Sequence, residues 1–326
     1  MITNFAKIAG LVALTLPATA QAQGMFEGDL TLGYSFGGLD AGGSQDFSTP
    51  SLKMHSTVSL SEKFEFDLNL GTRMTDFDGT ALSLDSTYIA VAPRFQLDNG
   101  LVLGAYWETV DNSLNVLPID LGGSSYGVSL GYDGGNWDIE GYIGASTFDP
   151  LQNLLNNILD VDIMDAGLRG NFHVSDSFHL SGHFMYTSID SPLPDSVDLY
   201  SLAVGGEYLI NPNWSVYGAL SRQWLKQDII ATPVDFSGTR YSIGAAYTFA
   251  GGGSAMPVTA SIELSRTNLD LDIANGGLTG NGDVDEVRVG LSIPLGHSGR
   301  PAPLNSNTRL VSGGGHTVLG QLLGLY

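Results

Sequence analysis

The chain of 326 residues contains no cysteine. Disulfides are therefore excluded, as is a lipid anchor carried on cysteine, and a chain of this length does not need disulfides to build its core. Long apolar runs are missing too: beyond the first two dozen residues nothing approaches the roughly 18 uninterrupted apolar residues of a transmembrane helix. Positive charge is scarce, with 13 Lys and Arg against 34 Asp and Glu. Such an excess of acid repels nucleic acid and argues against a polyphosphate partner, while it suits cations or a surface facing divalent ions. Catalytic motifs are absent as well, with no HExxH, no G-x-S-x-G and no phosphate-binding loop. The sequence thus implies no enzyme and no cofactor, although a site assembled from separate strands would escape a motif search.

What is present is glycine, 43 residues of it, with 10% aromatics and only 14% charged residues. An acidic disordered chain would lack those aromatics. The opening MITNFAKIAGLVALTLPATAQAQ carries Lys7, an apolar run from Ile8 to Leu16, and small residues at Ala18, Ala20 and Ala22. This is the layout of a secretory signal peptide, and its apolar run is too short to cross a bilayer as a helix. Residues 1–22 are accordingly set aside as a leader, with the mature chain expected to start at Gln21 or Gln23.

The remainder is punctuated by very short polar turns, each bracketed by large apolar residues. Leu60 and Phe64 bracket SEK, Leu97 and Leu101 bracket DNG, Tyr132 and Trp137 bracket DGGN, Val174 and Phe178 bracket SDS, and Ile210 and Trp214 bracket NPN. A longer sixth turn, AGGGSAMP, separates Phe249 from Val258. Asn, Asp, Gly and Pro are what tight hairpins require. Longer polar segments lie between, near 37–50, 75–83, 110–123, 148–162, 189–197, 226–238 and 268–283. Short turns alternating with long loops put every short connection at one end, as in barrels of the outer membrane. Six turns define twelve strands, and one more on each side makes fourteen, with twelve and sixteen as the neighbouring even counts. They are expected near 25–36, 50–60, 64–74, 84–97, 101–110, 123–132, 137–147, 163–174, 178–188, 198–210, 214–225, 239–249, 258–267 and 284–295. Strands this long exceed the roughly five or six residues usual in a soluble sandwich. The expected fold is an all-β, antiparallel up-and-down transmembrane β-barrel over 23–295. Its short turns are periplasmic and its long loops extracellular. A tail, 296–326, follows and is either periplasmic or inserted in the lumen.

Strand after strand divides the same way. In 64–74, Phe64, Phe66, Leu68, Leu70 and Met74 alternate with Glu65, Asp67, Asn69, Gly71 and Arg73. Aromatics recur beside the short turns, at Phe64, Tyr132, Trp137, Phe178, Trp214 and Phe249, as an interfacial girdle requires. Several strand ends carry a polar–x–Gly–x–x–apolar–x–apolar pattern: SYGVSLGY (125–132), SIGAAYTF (242–249) and RVGLSIPL (288–295). These resemble the targeting signal of porin-like outer-membrane proteins of Gram-negative bacteria. The resemblance implies a location in that membrane, contact with its lipid, insertion by the barrel-assembly machinery, and passage of small solutes. It departs from the pattern in one respect, because about thirty residues follow the last such strand.

The acids opposite the apolar face are the candidate lumen. Glu27, Asp29, Glu65, Asp67, Asp138, Glu140 and Glu207 fall near the short-turn end, and Arg73, Arg169, Arg240, Arg288 and Lys53 lie mostly higher. Rings of Asp and Glu favour cations in a pore. Pairing across the turns sets Glu65 against Ser59, Asp67 against Thr57, Glu140 against Ser129 and Tyr142 against Gly127, large against small, leaving room for water. His173 and His179 should face each other, a weak metal candidate without an evident third ligand, and Arg169 should face His183. The segment FDPLQNLLNNILDVD (148–162) has helical spacing and fits a rim helix or an inward constriction. The Asp-rich NLDLDIANGG and GNGDVDE could collect Ca²⁺ or Mg²⁺ loosely at loops, without the spacing of a defined calcium loop. The expected function is a porin-like channel for passive diffusion of small, preferentially cationic or neutral solutes. The alternative is a closed structural or adhesive barrel whose acidic loops bind surface partners or divalent ions.

Overall fold

Alternating polar and apolar residues can satisfy two solvents at once only if the strands close on themselves, and they do. A computed structural model describes residues 25–115, 122–148, 162–190, 197–227, 234–249, 256–273, 278–297, 299–313 and 315–322. The expected leader and the helical spacing of the 148–162 segment lie outside the described residues. Fourteen strands follow in order: β1 Phe26–Asp40, β2 Ser44–Ser61, β3 Phe64–Phe77, β4 Ser83–Gln96, β5 Leu101–Leu114, β6 Gly123–Asp133, β7 Trp137–Phe148, β8 Asp162–Ser175, β9 Phe178–Asp190, β10 Val197–Leu209, β11 Trp214–Gln227, β12 Val234–Phe249, β13 Val258–Ile273 and β14 Leu278–Leu295. Each pairs antiparallel with its sequence neighbours, and β1 pairs with β14 from Gly28↔Leu295 to Asp40↔Asp283, so the sheet has no edge.

The turns close through the side chains that marked them. Ser61 Oγ accepts from the backbone N–H of Phe64 at 3.1 Å, and Asn211 Oδ1 from those of Asn213 and Trp214, both at 2.9 Å. At DGGN, Asp133 Oδ1 accepts from Gly135 N at 2.8 Å, and Gly135 sits at φ +86°, where a side chain would be strained. That geometry moves the closing pair to Asp133↔Asp138, one residue beyond the expected Tyr132–Trp137. Glu140 therefore lies opposite Gly131 and Tyr142 opposite Ser129, not Ser129 and Gly127. Because both partners move by one, every side chain keeps its face.

At the opposite end the strands outrun the sequence pattern. Residues 37–50 are not a loop: β1 and β2 continue through them to a connection of only Ala41–Gly43. The Asp-rich stretches expected as cation-collecting loops lie largely within β13 and β14, where backbone pairing carries the ladder past the apolar zone. There Arg266 pairs with Asp283 and, at 3.4 Å, with Asp285.

Outward residues are apolar and exposed, among them Val128, Leu130, Ile143, Leu202, Ile243 and Leu291. Phe64, Tyr132, Trp137, Phe178, Trp214 and Phe249 all lie on this face at the short-turn end, extended by neighbours such as Tyr208 and Tyr247. A second aromatic level includes Tyr200 and Trp224. Trp214 and Trp224 are ten residues apart on β11, roughly 33 Å along the strand. At the roughly 40° tilt of membrane barrels this becomes about 25 Å, the height of their apolar band. Arg222 also points outward, in register with Leu202 and Thr239. An outward arginine costs about 2–4 kcal/mol at the bilayer midplane and about 0–1 near the interface, so its level marks the far boundary of that band.

Ile243, 67% exposed and between the two aromatic levels, tests the assignment. Ile243→Arg should lower barrel stability in lipid vesicles by about 2–4 kcal/mol, read by denaturant unfolding. A loss under about 1 kcal/mol would place this residue outside the bilayer.

Candidate functional site

The inner face is identified by what lies against it. After β14 the chain reverses at Gly296, φ +78°, and runs back into the barrel. His297 Nε2 lies 3.1 Å from Asp29 Oδ1, and Ala302 N donates to Asp29 Oδ2 at 3.1 Å. Thr31 accepts from Leu304 N at 3.1 Å and donates to Ala302 O at 3.3 Å. Arg300 meets Glu207 of β10. Two short helices follow, α1 Asn307–Gly313 and α2 Val318–Leu322, docked against β9 and β10.

Wall residues are small where this tail passes. Gly33 and Gly290 lie under the Asn305 side chain, and Gly205 under Thr308 and Val311. A Cβ on Gly290 would come within 2.7 Å of Asn305 Oδ1, so a larger residue there displaces the tail. Asn307 then joins opposite charges: its Oδ1 accepts from Arg288 at 2.7 Å and Arg240 at 3.4 Å, while its backbone N and Nδ2 donate to Glu263 at 3.0 and 2.9 Å. Arg288 itself bridges Glu263 at 3.1 Å and Glu286 at 2.5 Å.

Farther along, His316 crosses the lumen to β5. Its backbone N donates to Glu108 at 3.0 Å, and its ring stacks on Tyr106 at 3.8 Å and 7° and meets Tyr142 edge-on at 4.8 Å. Burial pushes the imidazole below its ordinary range, and its Nδ1 lies 3.3 Å from Glu108 Oε2. Val318 is fully buried among Tyr106, Tyr142, Met185 and Leu199. Gln321 Oε1 accepts from Ser201 at 2.7 Å and Gln223 at 3.2 Å. The space that small residues leave is therefore taken on this side by tyrosines and the tail. Tyr142 lies against Gly167, and Tyr106 against Gly127 and Gly144.

The expected lumenal residues all fall on the inner face, in two groups. Glu27, Asp29, Glu65, Asp67, Asp138, Glu140 and Glu207 lie near the short-turn end, with Arg169 among them rather than above. Thr57 donates to Asp67 at 2.7 Å, Asn171 to Asp138 at 3.0 Å, and Arg169 meets Glu140 at 2.7 Å. Lys53, Arg73, Arg240 and Arg288 lie higher, the last two bonded to Asn307. The facing pairs His173↔His179 and Arg169↔His183 form, the two imidazoles edge to face at 4.5 Å. Among the described residues no group of three or more His, Asp or Glu side chains is placed to hold a metal ion.

Sequence reasoning missed Arg94, which reaches Asp67 at 3.1 Å and Glu140 at 3.6 Å, and it missed Glu108 and Glu263, which receive the tail. Alternation places Arg94 and Glu108 inward, but β4 and β5 are apolar on both faces and mask the signal.

Beside the tail a cavity of about 650 Å³ remains, walled by Glu65, Asp67, Arg94, Asp138, Glu140, Arg169 and His173. A second, of about 680 Å³, shares Glu65, Arg94, Asp138, Glu140 and His173 with it and reaches the turn residues Glu62 and Lys63, so the cavity opens at the short-turn end. At its inner end stand Tyr88, Tyr106 and His316.

No protein-family model and no curated protein matches the sequence. Solved structures match by shape. A mutant of the TodX monoaromatic hydrocarbon channel aligns with TM-score 0.53 and 8% identity over 83% of this chain and 90% of that one. A Pseudomonas aeruginosa FadL homologue aligns with TM-score 0.51 and 13% identity, again over 83% and 90%. At such identity the likeness concerns the fold: the chain is a closed fourteen-stranded β-barrel of the outer-membrane type.

Proposed function

We propose that the chain is an outer-membrane channel for passive diffusion of small, preferentially cationic or neutral solutes. Its own C-terminal segment is a plug that must shift for passage. The observation that carries this reading is the polar cavity beside the tail, open at the short-turn end and stopped by Tyr106 and His316. The carboxylates lining that cavity, Glu62, Glu65, Asp67, Asp138, Glu140 and Glu207, outnumber by one the cations beside them, Lys53, Lys63, Arg94, Arg169 and Arg309, and acidic rings favour cations. A barrel of like fold is by name a hydrocarbon channel, which supports a conduit. No reaction is assigned: His173 and His179 pack on each other, and the lumenal groups replace hydration rather than break bonds. In the same reading residues 1–22 are a cleaved leader, the short turns are periplasmic, the aromatic levels contact lipid headgroups, and the barrel-assembly machinery inserts the chain in a Gram-negative outer membrane. Loose Ca²⁺ or Mg²⁺ at the acidic rim belongs to this reading too.

The dense bonding of the tail favours a second reading, a permanently closed structural or adhesive barrel. Conductance separates the two. In planar bilayers a chain ending at Leu295 should conduct severalfold more than the full chain. A second variant keeps the tail: Gly205→Cys with Val311→Cys, since a Cβ on Gly205 would lie 3.4 Å from that of Val311, within disulfide reach in a chain with no other cysteine. Oxidised, it should hold the channel shut, and reductant should restore the conductance of the unmodified chain. Equal conductance in both states rejects a moving plug, and silence in every form supports the closed barrel.

Selectivity is read in the same bilayers under a salt gradient. Glu65→Gln with Asp138→Asn should move the reversal potential toward anion preference. An anion-selective full chain would overturn the cationic part of the reading.

A further inference from the structure

Arg222 serves neither the conduit nor the plug. It projects from the outer wall of β11, opposite Leu202 on β10 and Thr239 on β12, with Lys226 one turn of the alternation beyond Trp224. Among the described residues neither Arg222 nor Lys226 forms an ion pair. Lys226 lies in register between Asp198 and Asp235, while Arg222 has no carboxylate in register, unlike Arg266, outward on β13, which pairs with Asp283 and Asp285. Trp224 stacks on Tyr200 at 5.2 Å and 8°, and such aromatics sit at headgroup level. Around them is a cavity of about 550 Å³ whose outward-facing lining includes Leu202, Arg222, Trp224, Lys226 and Ser237. Towards the membrane interior the wall continues from Leu202 as exposed Val204 and Leu220.

We infer that this cavity docks the phosphorylated headgroup of a membrane lipid. Arg222 and Lys226 hold the phosphate, Tyr200 and Trp224 cover the headgroup beside it, and Leu202 and Leu220 follow the acyl chain. A guanidinium grips phosphate through two parallel hydrogen bonds, and basic pockets on membrane proteins take anionic headgroups. Asp235, Asp270 and Asp272 line the β12–β13 side of the same cavity. They repel a phosphate there, which confines it to the Arg222 side, and they can accept hydrogen bonds from headgroup hydroxyls. The inference rests on the barrel's placement in a membrane, not on solute passage: a barrel without conductance would still hold the lipid.

The full chain in uncharged detergent with EDTA, so that no divalent ion bridges, is titrated with a bisphosphorylated disaccharide lipid and with its dephosphorylated form, bound lipid being counted by native mass spectrometry. The phosphorylated lipid should bind at least about tenfold more tightly, a difference of about 1.4 kcal/mol. Arg222→Ala with Lys226→Ala should bring that ratio close to one while heat-modifiable electrophoretic mobility shows the barrel intact, and Arg222→Lys should retain part of it. A ratio of one in the unmodified chain, or one that survives the double substitution, overturns the inference. Displacement of the lipid by inorganic phosphate at equal concentration would assign the site to a soluble anion and overturn it as well.

Discussion

Closure of the sheet is the constraint on which everything else depends. In hydrocarbon an unpaired backbone N–H or C=O has no water to turn to, so a spanning sheet must have no edge. The β1–β14 ladder, thirteen residue pairs from Gly28↔Leu295 to Asp40↔Asp283, removes it. Closure at fourteen strands then sets a width. About eight strands leave an interior that side chains fill, whereas sixteen to eighteen leave an aqueous channel. Fourteen fall between, too wide for lumenal side chains alone and narrow enough for one additional polypeptide segment.

The tail is that segment, and it fits because the wall makes room and supplies charge. Glycines at 33, 205 and 290 let Asn305, Thr308 and Val311 lie close to the strand backbone. Glu108 and Glu263 are buried carboxylates, and the tail offers each a backbone N–H in addition to partners on the wall, Arg288 in the case of Glu263. Asn307, neutral, contacts both Arg288 and Glu263 and so adds no charge to a balanced pair. The plug is held by hydrogen bonds, the Arg300–Glu207 ion pair, one aromatic stack and the burial of Val311 and Val318. Exchanging such hydrogen bonds for water costs about 0.5–1.5 kcal/mol each where both groups are neutral and about 1.5–3 where one is charged, as at Asp29, Glu108 and Glu263. A segment held this way can be ordered and still be displaceable.

How much of this could be read from the residues follows from periodicity. Fourteen strands, their order and their faces were all legible, because Phe64 to Met74 or Tyr241 to Phe249 must alternate between lipid and lumen. At SEK and SDS the expected register holds beyond the turn, at Ser59↔Glu65 and His173↔His179, while a β-bulge makes the closing pairs Ser61↔Phe64 and Ser175↔Phe178 instead of Leu60–Phe64 and Val174–Phe178. At DGGN two closures one residue apart are equally consistent with the pattern, and the turn's own hydrogen bonds, Gly135 N to Asp133 Oδ1 and Gly134 N to Trp137 O, select between them. Strand ends beyond the membrane were illegible, since outward residues there, such as Asp283 and Asp285, face water and lose the alternation. The tail was illegible for a different reason. A plug is bound by the wall from several directions, so Pro301 to Leu322 have no repeating face to display.

Charge on the two surfaces follows one rule with opposite outcomes. Inside, water and facing strands are available, and the acids acquire partners: Asp67 and Glu140 share Arg94, and Glu207 receives Arg300 from the tail. Outside, lipid supplies no partner within the apolar band, so a charge survives only at its margins. Arg266 meets that condition with two aspartates across a strand pair. Arg222 has Leu202 and Thr239 across from it and no carboxylate in register. A guanidinium left without a protein partner at headgroup level is solvated by whatever the membrane presents there. The lipid phosphate proposed to dock there would give this guanidinium the planar, bidentate partner that neither neighbouring strand offers in register.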